Sequence, residues 1–167
     1  MRLPSAIVLG GLTVGTLDIL DAIIFWSVRA GAPPMRVFQG IAGGYFGRTT
    51  FDGGIRTAIL GGVTHYFIAF AVVTTFVLAS RKLPWLTSRP ILYGACYGLG
   101  VLAFMNLVVL PLSAVGWPHW SPAVAINQVL IHIFGVGIVT ALFARAAQSS
   151  PGSVRRDTFR NGLEERL

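Results

Sequence analysis

The sequence predicts an all-α fold, an integral membrane four-helix bundle with an interfacial or re-entrant segment between the first and second helices. Composition is the first sign: the chain is 54% hydrophobic and only 11% charged, where a soluble domain carries about 25% charged residues. The second is a set of four apolar runs, about 5–28, 57–80, 90–113 and 122–145. Each approaches the roughly 20 residues a helix needs to cross the hydrocarbon of a bilayer. The third is what remains. Too few residues lie between the runs to build a soluble domain, so 1–147 is expected to form one transmembrane domain and 148–167 a cytoplasmic tail.

The first run follows Arg2 and precedes Ala30-Gly31-Ala32, as a secretory signal would. It is too long for a signal h-region and contains Asp18 and Asp21, so it is expected to be a retained span. Gly11, Gly15, Asp18 and Ala22 lie along one of its faces.

Residues 29–56 form an amphipathic loop. Pro33-Pro34 ends the entry turn, and Met35, Phe38, Ile41 and Tyr45 then recur at helical spacing, with Arg36, Gln39 and Arg48 elsewhere around the axis. That pattern suits a short helix lying at the membrane surface. Gly43-Gly44, Gly47 and Gly53-Gly54 interrupt it and keep a partly re-entrant course open.

In the second run Gly61, His65, Ala69 and Val72 share a face. The third carries Gly94 and Gly98, with Asn106 two turns beyond. Pro111 cannot donate to the Leu107 carbonyl, so it either loosens the helix beside Asn106 or simply ends it. In the fourth, Ala125, Gln128, His132 and Gly135 align at three- and four-residue steps. Lipid gives helices no hydrophobic reason to associate, so small residues that admit close approach mark the contacts. Gly11, Gly15, Gly61, Gly94, Gly98 and Gly135 are the expected packing positions. In every run the polar residues share a face with them and therefore point into the bundle.

Four spans put both termini on one side. Nine Lys and Arg residues lie on the side of the termini and four, Arg29, Arg36, Arg48 and Arg56, on the other. The excess places the termini in the cytoplasm. Trp26, Trp85, Trp117 and Trp120 fall at span ends, as an interfacial aromatic belt requires. The net charge of +7 resides in these flanks and in the tail. It is read as topology and lipid contact, with the lipid bilayer as the partner and no nucleic acid. Cys96 is alone, which excludes a disulfide framework or a dithiol redox pair.

Asp18, Asp21, His65, Asn106, Gln128 and His132 are the candidate site. Ionisable groups inside a span are costly and rarely placed without a partner. Counted from the outer end of each run at 1.5 Å per residue, all six fall roughly 9–15 Å deep. Four helices deliver polar groups to one layer. The layer is read first as a hydrogen-bonded network in a non-enzymatic accessory or scaffolding subunit, each interhelical bond contributing on the order of 1 kcal/mol. A second reading is proton or transition-metal binding by Asp18, Asp21, His65 and His132, with Asn106 and Gln128 orienting them. A third is haem b between His65 and His132, taken as diagonal across the bundle. Asp18-Ile19-Leu20-Asp21 is a DxxD, too short to establish hydrolytic chemistry, and no catalytic residue is assigned. His119 reads as an interfacial loop residue. Glycine-rich faces on a chain this small point to a homo-oligomer or a subunit of a larger membrane complex.

Gly15-Thr16-Leu17-Asp18-Ile19, Gln39-Gly40-Ile41-Ala42, Phe51-Asp52-Gly53-Gly54 and His65 form a recognisable set. With the run Met105 to Ser113 and Ile131-His132 before Val136-Gly137, the chain resembles a family of small, uncharacterised bacterial inner-membrane proteins. The resemblance implies four spans and a bacterial inner-membrane setting, and it implies no activity. Gly137-Ile138-Val139 stands where that family has a proline after the glycine, so the last span is expected to run straighter here.

Overall fold

The computed structural model describes residues 1–148. Its elements are α1 (Leu3–Ala30), α2 (Pro34–Phe46), a 3-10 segment (Gly47–Asp52), α3 (Gly54–Lys82), a 3-10 turn (Pro84–Thr87), α4 (Pro90–Leu112) and α5 (Pro122–Gln148). Among the described residues all regular structure is helical. α1, α3, α4 and α5 are long and apolar enough to cross a membrane.

Local chemistry sets the ends. A proline stands in the first turn of α1, α2, α4 and α5, where its missing N–H breaks no helical bond. The Ser121 hydroxyl also caps α5 by accepting from the Val124 N–H. α1 ends at Gly31, whose φ of 61° is the left-handed conformation that lets its N–H bond back to Ser27. Residues 149–167, expected as a cytoplasmic tail, lie outside the described residues. Gln148 itself belongs to the bundle: its amide donates to the Ser80 carbonyl at 2.7 Å and accepts from the Thr87 hydroxyl at 2.5 Å.

α5 is the central helix and touches α1, α3 and α4, while α1 also packs along α3. α3 and α4 meet through Tyr97, which donates to the Val72 carbonyl at 2.7 Å and lies 4.8 Å from the Phe76 ring. The apolar core fills the end of the bundle that carries the termini, with Val14, Val73, Phe76, Val77, Val136, Ala141 and Ala144 in one cluster. The opposite end, bearing segments 31–53 and 113–121, is the loop end.

Glycines set the helix contacts as expected at four of six positions. A methyl at Gly11 or Gly15 of α1 would collide with the rings of Phe70 and Tyr66 on α3. At Gly98 it would overlap the His132 carbonyl of α5, and at Gly94 it would stand 2.8 Å from Ile138 Cα. Two positions differ. Gly61 admits the backbone of α2 at Phe38 instead of another long helix. Gly135 meets mainly Ile131 of its own helix, and the close approach to α4 falls to Gly137, beside the Gly94 carbonyl.

For Gly135 the reason is a change of helical pitch. Met105–Val109 in α4 and His132–Ile138 in α5 are π-helical. Each carries extra backbone per turn, which rotates the following residues relative to a regular α-helix. The last span is thus not the regular helix its sequence suggested. Pro111 stands two residues past the α4 π turn and the helix ends one residue later, so the helix both loosens and terminates beside it.

α2 corrects a second expectation. It is helical, but its buried face is Gln39, Ala42 and Gly43, while Met35 and Tyr45 are exposed. Gln39 is 1% exposed: its side-chain amide donates to the Gly54 carbonyl at 3.0 Å, and its backbone carbonyl accepts from the Thr50 hydroxyl at 3.1 Å. Thr57 donates to the Thr50 carbonyl at 2.7 Å, and the Tyr45 and Thr64 hydroxyls pair at 3.1 Å. α2 is therefore stapled along the first turns of α3.

Candidate functional site

The core closes only the terminal half of the bundle. In the loop half the long helices surround a cavity of about 1060 Å³. Asp18, Asp21, His65, Asn106, Gln128 and His132 all line it. Val14, Val72, Val101 and Val136 belong both to its wall and to the apolar core, and so form its floor. Trp26, Arg36, Tyr45, Phe51, His119 and Trp120 stand round the mouth.

Helix periodicity brings these groups together. Gly15 and Asp18 lie on the face of α1 that meets α3, and His65 lies on the matching face of α3. The His65 ring sits edge-on to Tyr66 at 5.4 Å. Its Nε2 is 2.8 Å from the Gly15 carbonyl. A carbonyl oxygen only accepts, so Nε2 carries the hydrogen and donates. Nδ1 of the same ring faces Asp18 Oδ2 at 4.0 Å.

His132 is oriented the same way by a different bond. Its Nδ1 lies 2.9 Å from the Gln128 carbonyl one turn earlier, so Nδ1 is the donor. In the neutral ring Nε2 is then left as an acceptor. Asp18 thus sits within electrostatic reach of both imidazoles and of Asp21. Both histidines are buried and both aspartates partly so.

The remaining residues play different parts from those expected. Asn106 donates to the Leu102 carbonyl of its own helix at 2.9 Å and does not orient a histidine. Gln128 gives its backbone carbonyl to His132 and its side chain to the cavity wall. The partner of Asp21 is Asn127, whose amide donates to Oδ2 at 2.7 Å. Asn127 was not among the expected residues, because face-counting on α5 selected its neighbour. Two adjacent amides in one apolar run were the available signal. His119 is an exposed loop residue, as expected, and it also lines the mouth.

The ligand readings fare unequally. Among the described residues no group of three or more His, Cys, Asp or Glu side chains is placed to hold a metal ion. A bis-histidine haem needs one open ring nitrogen from each histidine. His65 commits Nε2 to Gly15 and turns Nδ1 to Asp18, so the pair does not fit that role.

No protein-family model matches the chain, and no curated protein or solved structure does either.

Proposed function

We propose that this chain is a multi-pass membrane protein that holds an amphipathic small molecule in its loop-end cavity. Four long apolar helices support the membrane setting, as do the apolar side chains on their outer surfaces. Ile24, Val63 and Ile91 are 62%, 63% and 67% exposed along the middle and ends of α1, α3 and α4, and apolar exposure repeated along several helices suits a lipid-facing surface. Nine basic residues beside the termini against four at the loop end favour cytoplasmic termini and an outward-facing cavity mouth. The resemblance to small bacterial proteins of four spans points to the inner membrane.

The observation that carries the proposal is the cavity itself. Protein interiors are close-packed, with few voids larger than a water molecule. A network that only fixed helix register would close round its polar groups. Here polar groups from all four long helices face a broad cleft of about 1060 Å³ that opens at the loop end, just above the roughly 300–1,000 Å³ typical of ligand pockets. Apolar walls suit the body of a ligand, and Asp18, His65 and His132 suit its polar head. The assignment is of binding and not of a reaction. A subunit of a larger membrane complex, or a homo-oligomer, built round such a molecule accords with the chain's size.

Extraction and mass spectrometry of protein purified from native membranes test the proposal. The expected result is a compound retained in roughly equimolar amount by the natural protein and reduced in a Val72→Trp variant, whose larger side chain narrows the cavity at its floor. Recovery of bulk lipid alone, identical in both proteins, would overturn it.

A further inference from the structure

We propose, resting on the ligand-binding role above, that the occupant is a single-chain alkyl ammonium that enters sideways from the bilayer past Asn106 and Trp120. The head follows from the atoms at the inner end of the cavity. Asp18 and Asp21 present carboxylates, and His132 presents the Nε2 lone pair left by its bond to Gln128. These are acceptors, and their complement is a cationic donor, which makes charge-assisted hydrogen bonds with carboxylates. The one arginine on the wall, Arg36, stands at the mouth with its guanidinium 5.0 Å from the Phe51 ring centre, away from Asp18.

The route follows from a second hollow. A groove of about 400 Å³ runs along the flank of α4, lined by Leu99, Leu102, Ala103, Leu107 and Trp117. It shares Asn106, Pro118 and Trp120 with the main cavity. Its lining is otherwise apolar, so an alkyl chain is its natural occupant. The shared wall also departs from regular α-helix. Asn106 lies in the π turn of α4, while Pro118 and Trp120 lie in the 113–121 segment between helices. A chain dissolved in the bilayer can occupy the groove, and movement of this wall admits its head to Asp18.

The test is binding of tritiated dodecylamine to the protein in nanodiscs, with dodecanol and dodecanoate as competitors. Dodecylamine is expected to bind saturably and at least about tenfold more tightly than either competitor, a difference of about 1.4 kcal/mol. Ala103→Trp, at an exposed position, fills the groove and leaves the cavity intact. It is expected to slow association about tenfold with little change in equilibrium affinity. An alcohol or acid that competes as well as the amine, or an association rate untouched by Ala103→Trp, would overturn this inference and leave the binding role standing. Absence of saturable dodecylamine binding would likewise overturn this inference, while the binding role itself stands or falls on the extraction experiment. The head-group series uses the natural protein, so that outcome does not depend on a variant folding.

Discussion

One imidazole joins two helices to a carboxylate: His65 donates from Nε2 to the Gly15 carbonyl at 2.8 Å and presents Nδ1 to Asp18 at 4.0 Å. Gly15 and Asp18 are three residues apart on α1, so the ring on α3 bridges one turn of its neighbour. A glycine at position 15 lets the two helices come close enough for the bond. The same ring that fixes the α1–α3 contact therefore also sets the inner end of the cavity.

His65→Ala should uncouple these roles. It removes the interhelical donor to the Gly15 carbonyl together with a buried ring, a loss on the order of 2 kcal/mol. Thermal unfolding in detergent is the check, and His65→Gln, which retains an N–H donor, should recover part of the loss.

The α4–α5 contact gives a prediction with an internal control. A methyl at Gly98 would overlap the His132 carbonyl, whereas a methyl at Gly100 would meet nothing within 4 Å. Gly98→Ala should destabilise the bundle by about 1–3 kcal/mol, while Gly100→Ala should stay within about 0.5 kcal/mol. Equal melting temperatures for the two variants would contradict the close backbone approach.

Asn127, and not Gln128, holds Asp21. Asn127→Ala should leave the Asp21 carboxylate short of a donor and lower stability by about 1–3 kcal/mol. Gln128→Ala removes a side chain from the cavity wall while keeping the backbone carbonyl that orients His132, and should perturb less. The order of the two melting temperatures decides it.

Much of this arrangement was legible before the fold. Hydropathy located the long helices to within three residues at each end, because a run of about 20 apolar residues has few other uses. The shared face of Gly15 with Asp18, and the placing of His65 on the opposing helix, came from a period of 3.6 alone. That period also fails informatively. It cannot foresee a π turn, which arises where Gly98 and Gly137 let two backbones touch, and so Gly135 was chosen in place of Gly137. Polarity was equally uninformative at Gln39, which was placed around the helix from Met35, Phe38, Ile41 and Tyr45 and given no inward role. Its amide is needed inside, to satisfy the Gly54 carbonyl where the chain turns back into α3.

That staple gives a further expectation. Gln39→Ala should free α2 from the Gly54 carbonyl and loosen the 47–53 segment, raising its proteolysis rate about tenfold under conditions where cleavage follows local opening. Thr50→Val, which removes the hydroxyl bonded to the Gln39 carbonyl, should act in the same direction. Unchanged cleavage in both would show that other contacts hold the segment.

In the proposed binding role, polar groups from four helices face one hollow that holds a molecule. The decisive measurement is an experimental density map of the protein taken from native membranes into nanodiscs. Elongated density that is not water is expected between Asp18 and Trp120. Helices drawn together over an empty or merely hydrated Asp18, His65 and His132 would contradict it.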